Sequence, residues 1–280
     1  MTRRSFLRTA VLALGALAPV GYPLLWRPGD LRYRQPEIVR LRVGIPRLPP
    51  AFVGTTIAQI SDLHFGEFVS AEELSAVVDV VLGLKPAIVA VTGDHATRLA
   101  AEGVQPLARE LSRLKAPQGV FAVLGNHDFY LDGQLATETI RRADLALLVN
   151  SSVRIERQGQ ALYIAGVDDV LAGTPDLSRT LSGVPGDART ILLAHEPDYA
   201  DLAARDLRVA LQLSGHSHGG QVRAPGIGPI RRPPMAHKYP EGLRRVGSLW
   251  LYTNRGIGMV SVPIRFNCPP EVTLIELVAT

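Results

Sequence analysis

Five apolar runs of strand length each stop at a side chain that can bind a metal ion, and this regularity limits the possible folds more than any other feature of the chain. Residues 55–61 run into Asp62, 87–93 into Asp94, 120–125 into Asn126, 190–194 into His195 and 209–215 into His216. Short runs rich in Val, Ile and Leu, bounded by turn residues, read as buried strands. Between them lie stretches with helical spacing. Leu74, Val77, Val78, Val81 and Leu82 mark a helix over 71–84, and 102–115 and 133–143 are similar. Alternating strands and helices predict an α/β architecture. In such sheets binding sites form beyond the carboxyl ends of the strands, where all five ligand-type residues would fall. After about residue 145 the segments 147–150, 153–157, 162–166, 248–253 and 272–278 read as short strands with few helices between them. They predict a second sheet packed on the first.

The side chains at these ends form a mixed oxygen and nitrogen set without thiolate. Asp62-Leu63-His64 puts a carboxylate and an imidazole two residues apart, and an extended backbone would aim both to one face. His216-Ser217-His218 repeats the spacing with two imidazoles. Such donors suit Mn, Fe, Zn or Co better than Ca or Mg and exclude a cysteine-type structural zinc site. Asp62, His64, Asp94, Asn126, His195, His216 and His218 are too many for one ion that keeps an open position. They suit two ions with a bridging carboxylate, and Asp94 is the natural bridge because the other six divide evenly around it.

The ordered blocks Asp62-x-His64, Gly93-Asp94, Gly125-Asn126-His127-Asp128, His195 and Gly215-His216-Ser217-His218 resemble those of the calcineurin-like metallophosphoesterases across roughly 55–220. His218-Gly219-Gly220-Gln221 and Thr253-Asn254-Arg255-Gly256-Ile257-Gly258 look like the bacterial exported or membrane-associated branch. The resemblance implies a four-layer α-β-β-α sandwich of two packed mixed sheets with a dinuclear site at the strand ends. It implies that Asp62, His64 and His218 hold one ion and Asn126, His195 and His216 the other, with Asp94 between. The cofactors would be two divalent or trivalent transition-metal ions such as Mn, Fe or Zn. Ions about 3.5–4 Å apart can share a water and lower its pKa, so that hydroxide attacks phosphorus in line with the leaving oxygen. His127 is then the expected general acid, with Asp128 orienting it or raising its pKa. Where the family commonly has Asn, Arg or an apolar residue after Gly-Asp, this chain has His95, which is not expected to be a ligand. Glycines 93, 125 and 215 allow close backbone approach to ions. Arg255 and Gln221 are candidates to touch substrate oxygens or to serve structure, and His237 reads as a surface residue.

The first residues say where such an enzyme would work. Thr2-Arg3-Arg4-Ser5-Phe6-Leu7-Arg8 precedes an apolar stretch of 18 residues, 9–26. A basic start followed by an apolar segment reads as an export signal, and the arginine pair resembles a twin-arginine signal read by that export machinery. Pro19 follows the small-x-small triplet Ala16-Leu17-Ala18 and opposes cleavage there. Uncleaved, the stretch is just long enough for a membrane anchor. Residues 27–50 read as a linker leading into an edge strand, and 51–280 as the catalytic domain, placed in the periplasm or on the outer face of the cytoplasmic membrane. The net charge is +4, and leaving out Arg3, Arg4 and Arg8 reduces it to +1. That balance, and the lack of a basic stripe with interleaved aromatics, gives no reason to expect nucleic acid as a partner. Cys268 is the sole cysteine, so no disulfide within the chain can form.

Three functions remain in view. The first is a phosphoesterase favouring phosphodiesters, with a lipid-linked or cell-envelope substrate. The second is a UDP-2,3-diacylglucosamine-type pyrophosphate hydrolase of lipid A synthesis, whose substrate is normally cytoplasmic. The third is a non-catalytic envelope-binding protein, which would have no need of seven ligands and an acid.

Overall fold

The computed structural model describes residues 35–97 and 101–280. The expected signal or anchor (1–26) and residues 27–34 of the predicted linker lie outside them. Strand β1 (Glu37–Ile45) leads to β2 (Thr56–Ile60), helix α1 (Ala71–Gly83), β3 (Ile88–Thr92), α2 (Ala101–Ser112), β4 (Val120–Val123), α3 (Asn126–Arg142) and β5 (Ala146–Leu147). Then follow β6 (Ser151–Arg157), β7 (Gln160–Gly166), α4 (Leu177–Thr180), β8 (Thr190–Leu193), α5 (Ala200–Ala203), β9 (Val209–Ser214), the short pair β10 (Arg223–Ala224) and β11 (Gly228–Pro229), β12 (Gly242–Val246), β13 (Leu249–Thr253) and β14 (Glu271–Ala279).

Two six-stranded mixed sheets result, in the orders β1-β14-β2-β3-β4-β5 and β12-β13-β9-β8-β7-β6. β2, β3 and β4 run parallel in the first sheet, and β7, β8, β9 and β13 in the second. Apolar side chains from the two sheets fill the space between them: Ile57, Ile88, Phe121 and Val123 from one, Ile164, Ile191, Leu193 and Leu213 from the other. A second cluster lies under α1–α3 on the outer face of the first sheet, where Leu74, Val77, Val78 and Val81 meet Val89 and Val91. On the far face of the second sheet Leu192, Ala194 and Leu251 pack on Tyr199, Ala200 and Ala203. Helix, sheet, sheet and a thinner helical layer therefore stack in the expected order, because every central strand is apolar on both faces.

Two expectations need adjustment. The segments 147–150 and 272–278 were expected in the second sheet, yet β5 and β14 belong to the first. β14 runs antiparallel to β2 and parallel to the whole of β1. A helix was expected from residue 133, but α3 starts at Asn126 itself. Its first turn is stabilised by Asp128, whose carboxylate accepts from the Gly125 N–H at 2.9 Å, as acidic groups do near a helix start. The edge strand expected ahead of Ala51 is β1, which pairs with β14 along nine residues and places Val43 and Ile45 in the inter-sheet core. Helix α1 opens as its sequence implies, with Ser70 and Glu73 forming a reciprocal capping box.

Candidate metal centre

The five polar strand ends converge because β2, β3 and β4 finish beside β8 and β9 across the sheet interface. Asp62, Asp94 and Asn126 come from the first sheet, and His195, His216 and His218 from the second. Asp62, His64, Asp94 and His218 form one buried group and Asp94, His195 and His216 another, with the ligand atoms of each group within 4.8 Å of one another. Asp94 belongs to both. Its Oδ2 lies 3.2 Å from His195 Nε2 and 3.5 Å from His64 Nε2. Asp62 Oδ1 lies 3.3 Å from His218 Nε2, and the Nε2 atoms of His64 and His218 are 3.0 Å apart.

The backbone achieves this in an unexpected way. Asp62, His64, Asp94, His216 and His218 all have positive φ, between 46° and 66°. Neither Asp-x-His nor His-x-His is therefore the extended segment that their spacing suggested. Left-handed backbone at non-glycine residues costs energy and gathers at functional sites. It is held here by hydrogen bonds from backbone N–H groups to the carboxylates. His216 N–H donates to both oxygens of Asp62 at 3.0 and 3.1 Å, and His127 N–H donates to Asp94 Oδ1 at 2.8 Å. A Cβ on Gly215 would collide with the Asp62 carboxylate, and one on Gly125 with that of Asp94. These glycines are needed for close approach.

The outward ring nitrogens are occupied. His195 Nδ1–H donates to the Thr92 carbonyl at 2.7 Å and His216 Nε2–H to the Pro234 carbonyl at 2.9 Å, while His64 Nδ1 lies 2.6 Å from Thr97 Oγ1. Such bonds fix the tautomer and aim the other nitrogen inward. Asn126 Oδ1 is buried and has no hydrogen-bond partner among the described residues, and His195 Nε2 meets only the Asp94 carboxylate there. Orphaned buried acceptors are costly. A cation would satisfy the Asn126 oxygen and take up the Asp94 carboxylate and the His195 ring once it has lost its proton, so the donor set fits metal ions.

Electrostatics favours the same reading. Burial pushes the His64 imidazole down to about 3 and that of His216 to about 4. Burial, with His64 and Arg265 nearby, takes His218 well below the usual range. These three rings are neutral, as ligands must be. Burial also lifts Asp62 to about 7, assisted by the charge of Asp94. For His195 burial acts downward, but the Asp94 carboxylate outweighs it and raises the ring well above its ordinary value. Asp94 in turn is held well below the carboxylate range by His195, despite burial.

His127 is half-buried at the rim, its ring edge-on to His64 at 4.8 Å and near Tyr130 at 5.5 Å. Asp128 was expected to orient it. Instead Asp128 accepts from the His95 ring at Nδ1 and from the His95 backbone N–H, both at 2.9 Å, as well as from Gly125. The carboxylate is engaged below α3 by these three donors. His95, set aside in the sequence, is buried as the partner of Asp128. Arg255 is engaged with Glu271 and Glu37, and Gln221 with the backbone at Val260 and Val262, so both are structural. His237 is exposed. Two neighbours went unnoticed: Arg265 Nη2 lies 3.4 Å from His218 Nδ1, and the Cys268 thiol donates to the His218 carbonyl at 3.1 Å. No sequence signal marked them, since 47 and 50 residues separate them from His218.

The sequence profile of the calcineurin-like phosphoesterases matches residues 55–220. The uncharacterized metallophosphoesterase YkuE of Bacillus subtilis is 36% identical over 292 residues, covering 100% of this chain and 99% of that one. Phosphodiesterase YaeI of Escherichia coli is 29% identical over 281 residues, covering 99% and 100%. An uncharacterized metallophosphoesterase of Aquifex aeolicus is 30% identical over 229 residues, covering 79% and 84%.

Proposed function

The chain belongs to the calcineurin-like phosphoesterase family and is a metal-dependent phosphoester hydrolase, and from that premise we propose that it is a phosphodiesterase working on two ions outside the cytoplasmic membrane. The observation that carries the two-ion reading is the sharing of Asp94 between two buried ligand groups. Asp62, His64 and His218 would hold one ion and Asn126, His195 and His216 the other. Mn, Fe or Zn suit such donors. Paired cations supply an activated water and neutralise charge on the phosphoryl group.

The chain's own residues supply the rest. Asp62 and Asp94 keep their positions through the amides of His216 and His127, so the acceptors are set before any ligand arrives. His127 projects from the first turn of α3 beside His64 and is partly open to solvent, where a general acid can reach a leaving oxygen. His95 and Asp128 hold the loop after β3 against the start of α3.

The preference for diesters is supported by the name of the full-length relative YaeI. The location rests on Arg3-Arg4 and the apolar residues 9–26 of the sequence. Among the described residues no helix is long and apolar enough to cross a membrane. Metal-free protein reloaded with Mn or Zn should hydrolyse a diester faster than a monoester or a nucleoside-diphosphate-linked pyrophosphate. A preference for the pyrophosphate would select the lipid A reading, and no turnover with any of them the binding protein. Cell fractionation checks the location.

A further inference from the structure

Two of the three most exposed large apolar side chains among the described residues of the second half stand on a hairpin whose base adjoins the metal centre. β10 and β11 form a two-stranded hairpin that belongs to neither large sheet. At its turn Ile227 is 80% exposed, and Ile230 just beyond it is 60% exposed. Pro225 and Gly226 are exposed beside them. Arg231 and Arg232 follow directly, both exposed. Between Gln221 and Pro240 the chain has no Asp or Glu, but carries Arg223, Arg231, Arg232 and Lys238. Arg223 is neutralised by Glu241 and Lys238 by Asp201, whereas among the described residues the guanidinium of Arg232 meets only the His237 carbonyl.

An isolated two-stranded hairpin is marginal by itself, and this one is pinned at its base. Val222 bridges to Phe266, Arg223 N–H donates to the Phe266 carbonyl, and Gly220 lies against Pro229 so closely that a Cβ there would collide with it. Both ends reach the site. The hairpin begins five residues after His218, and the segment returning from it reaches Pro234, whose carbonyl accepts from His216. An apolar tip beside arginines that have no acidic partner among the described residues has the chemistry of an interfacial anchor for an anionic bilayer: isoleucine enters the headgroup boundary while the cations meet lipid phosphates.

We propose that the Arg223–Arg232 hairpin docks the protein on an anionic lipid surface through Ile227, Ile230, Arg231 and Arg232, bringing the metal centre to the level of the headgroups. The consequence for substrate, a phosphodiester presented at the bilayer surface, rests on the phosphodiesterase reading; the docking does not.

The test uses the full chain with a polarity-sensitive fluorophore on Ile227→Cys, the buried Cys268 being left in place. Leu207→Cys is the control, because Leu207 is 67% exposed just ahead of β9, at the end of that strand opposite the ligands. The N-terminal segment is common to both proteins, so only the local environment of the label differs. With vesicles of phosphatidylglycerol and phosphatidylcholine, the label at 227 should shift to the blue and be quenched by spin-labelled lipid, while the label at 207 is not. Arg231→Glu with Arg232→Glu should weaken that response by about tenfold or more. Equal quenching at 227 and 207 overturns the proposal, and so does a concentration-dependent blue shift without vesicles, which would mean a protein partner. Hydrolysis is read separately with a soluble chromogenic diester. Absence of that turnover defeats the phosphodiesterase reading and leaves the docking result standing.

Discussion

Asp128 and His95 are bound side chain to side chain at 2.9 Å, 33 positions apart, and the backbone N–H of His95 closes a second bond to the same carboxylate. The pair ties the first turn of α3 to the residue after Asp94. It fixes the two loops that carry Asp94 and Asn126 relative to one another. His95→Ala leaves a buried carboxylate short of a donor, costing about 1–3 kcal/mol. Since partners behind metal ligands are commonly worth about 10–100-fold, activity should fall by that factor with part of the metal lost. Asp128→Asn should give a similar loss, and the double variant little more than either. Denaturation midpoints, metal content and kcat of the three variants check this. A loss in Asp128→Asn that is absent in His95→Ala would return Asp128 to the role of orienting His127.

Asp94→Ala and His127→Ala should fail in different ways. Asp94 is common to both ligand groups, so its removal should abolish both metal binding and turnover. The contact of His127 to Asp94 is made by the backbone N–H and survives substitution of the ring. His127→Ala should therefore keep its metal yet lose about 100-fold or more on diesters with poor leaving groups, and much less on nitrophenyl esters. Metal analysis beside a leaving-group series tests it. Equal loss across the series would deny His127 the part of acid.

Gly125→Ala removes no ligand and demands no unusual backbone, since φ at this position is −119°. The added Cβ would nevertheless strike the Asp94 carboxylate and lie 2.8 Å from His195 Cε1. Displacing a shared ligand by a fraction of an ångström to an ångström is expected to cost about 100-fold in kcat. The protein should fold normally by circular dichroism.

The strand ends were legible in the sequence because a parallel strand buried on both faces is a nearly continuous apolar run, and a polar residue at its end has few structural uses. That placed Asp62, Asp94, Asn126, His195 and His216 at one end of the fold before any coordinates. The positive φ of Asp62 and His64 was not legible, because spacing alone does not distinguish an extended segment from a left-handed one. Nor was the place of β14, whose alternating pattern suits either sheet and is decided by its pairing with β1 and β2. Asp128 looked like a partner for His127 because the two are adjacent in sequence, whereas on the first turn of a helix neighbouring side chains diverge.

Metal binding should release protons and weaken in acid. In the metal-free centre Asp62 titrates at about 7 because burial disfavours its charge, and His195 is held protonated by Asp94. Both must lose protons to become ligands, while His64 and His216, pushed down to about 3 and 4, have none to lose at neutral pH. The sign follows. With its folded pKa raised, Asp62 carries a proton in the metal-free fold below about pH 7 and opposes the ion there. Affinity for Mn should fall as pH drops from 8 to 6, by up to about tenfold per unit for each proton displaced. Calorimetry in buffers of different ionisation enthalpy counts the protons. Affinity independent of pH over this range would contradict the assignment.

Chelation should lower the melting temperature as well as stop turnover. Without cations, two buried carboxylates and the unpartnered Asn126 Oδ1 share one buried space, and the left-handed backbone at five candidate ligand positions is held by hydrogen bonds alone. An ion at a thousandfold excess over its Kd stabilises the folded state by about 4 kcal/mol. For a chain of this size that corresponds to a shift on the order of 10 °C. Scanning calorimetry with and without chelator should show such a shift in the wild type and almost none in Asp94→Ala. If the two proteins shifted alike, the stabilising ions would be bound somewhere other than the cluster around Asp94.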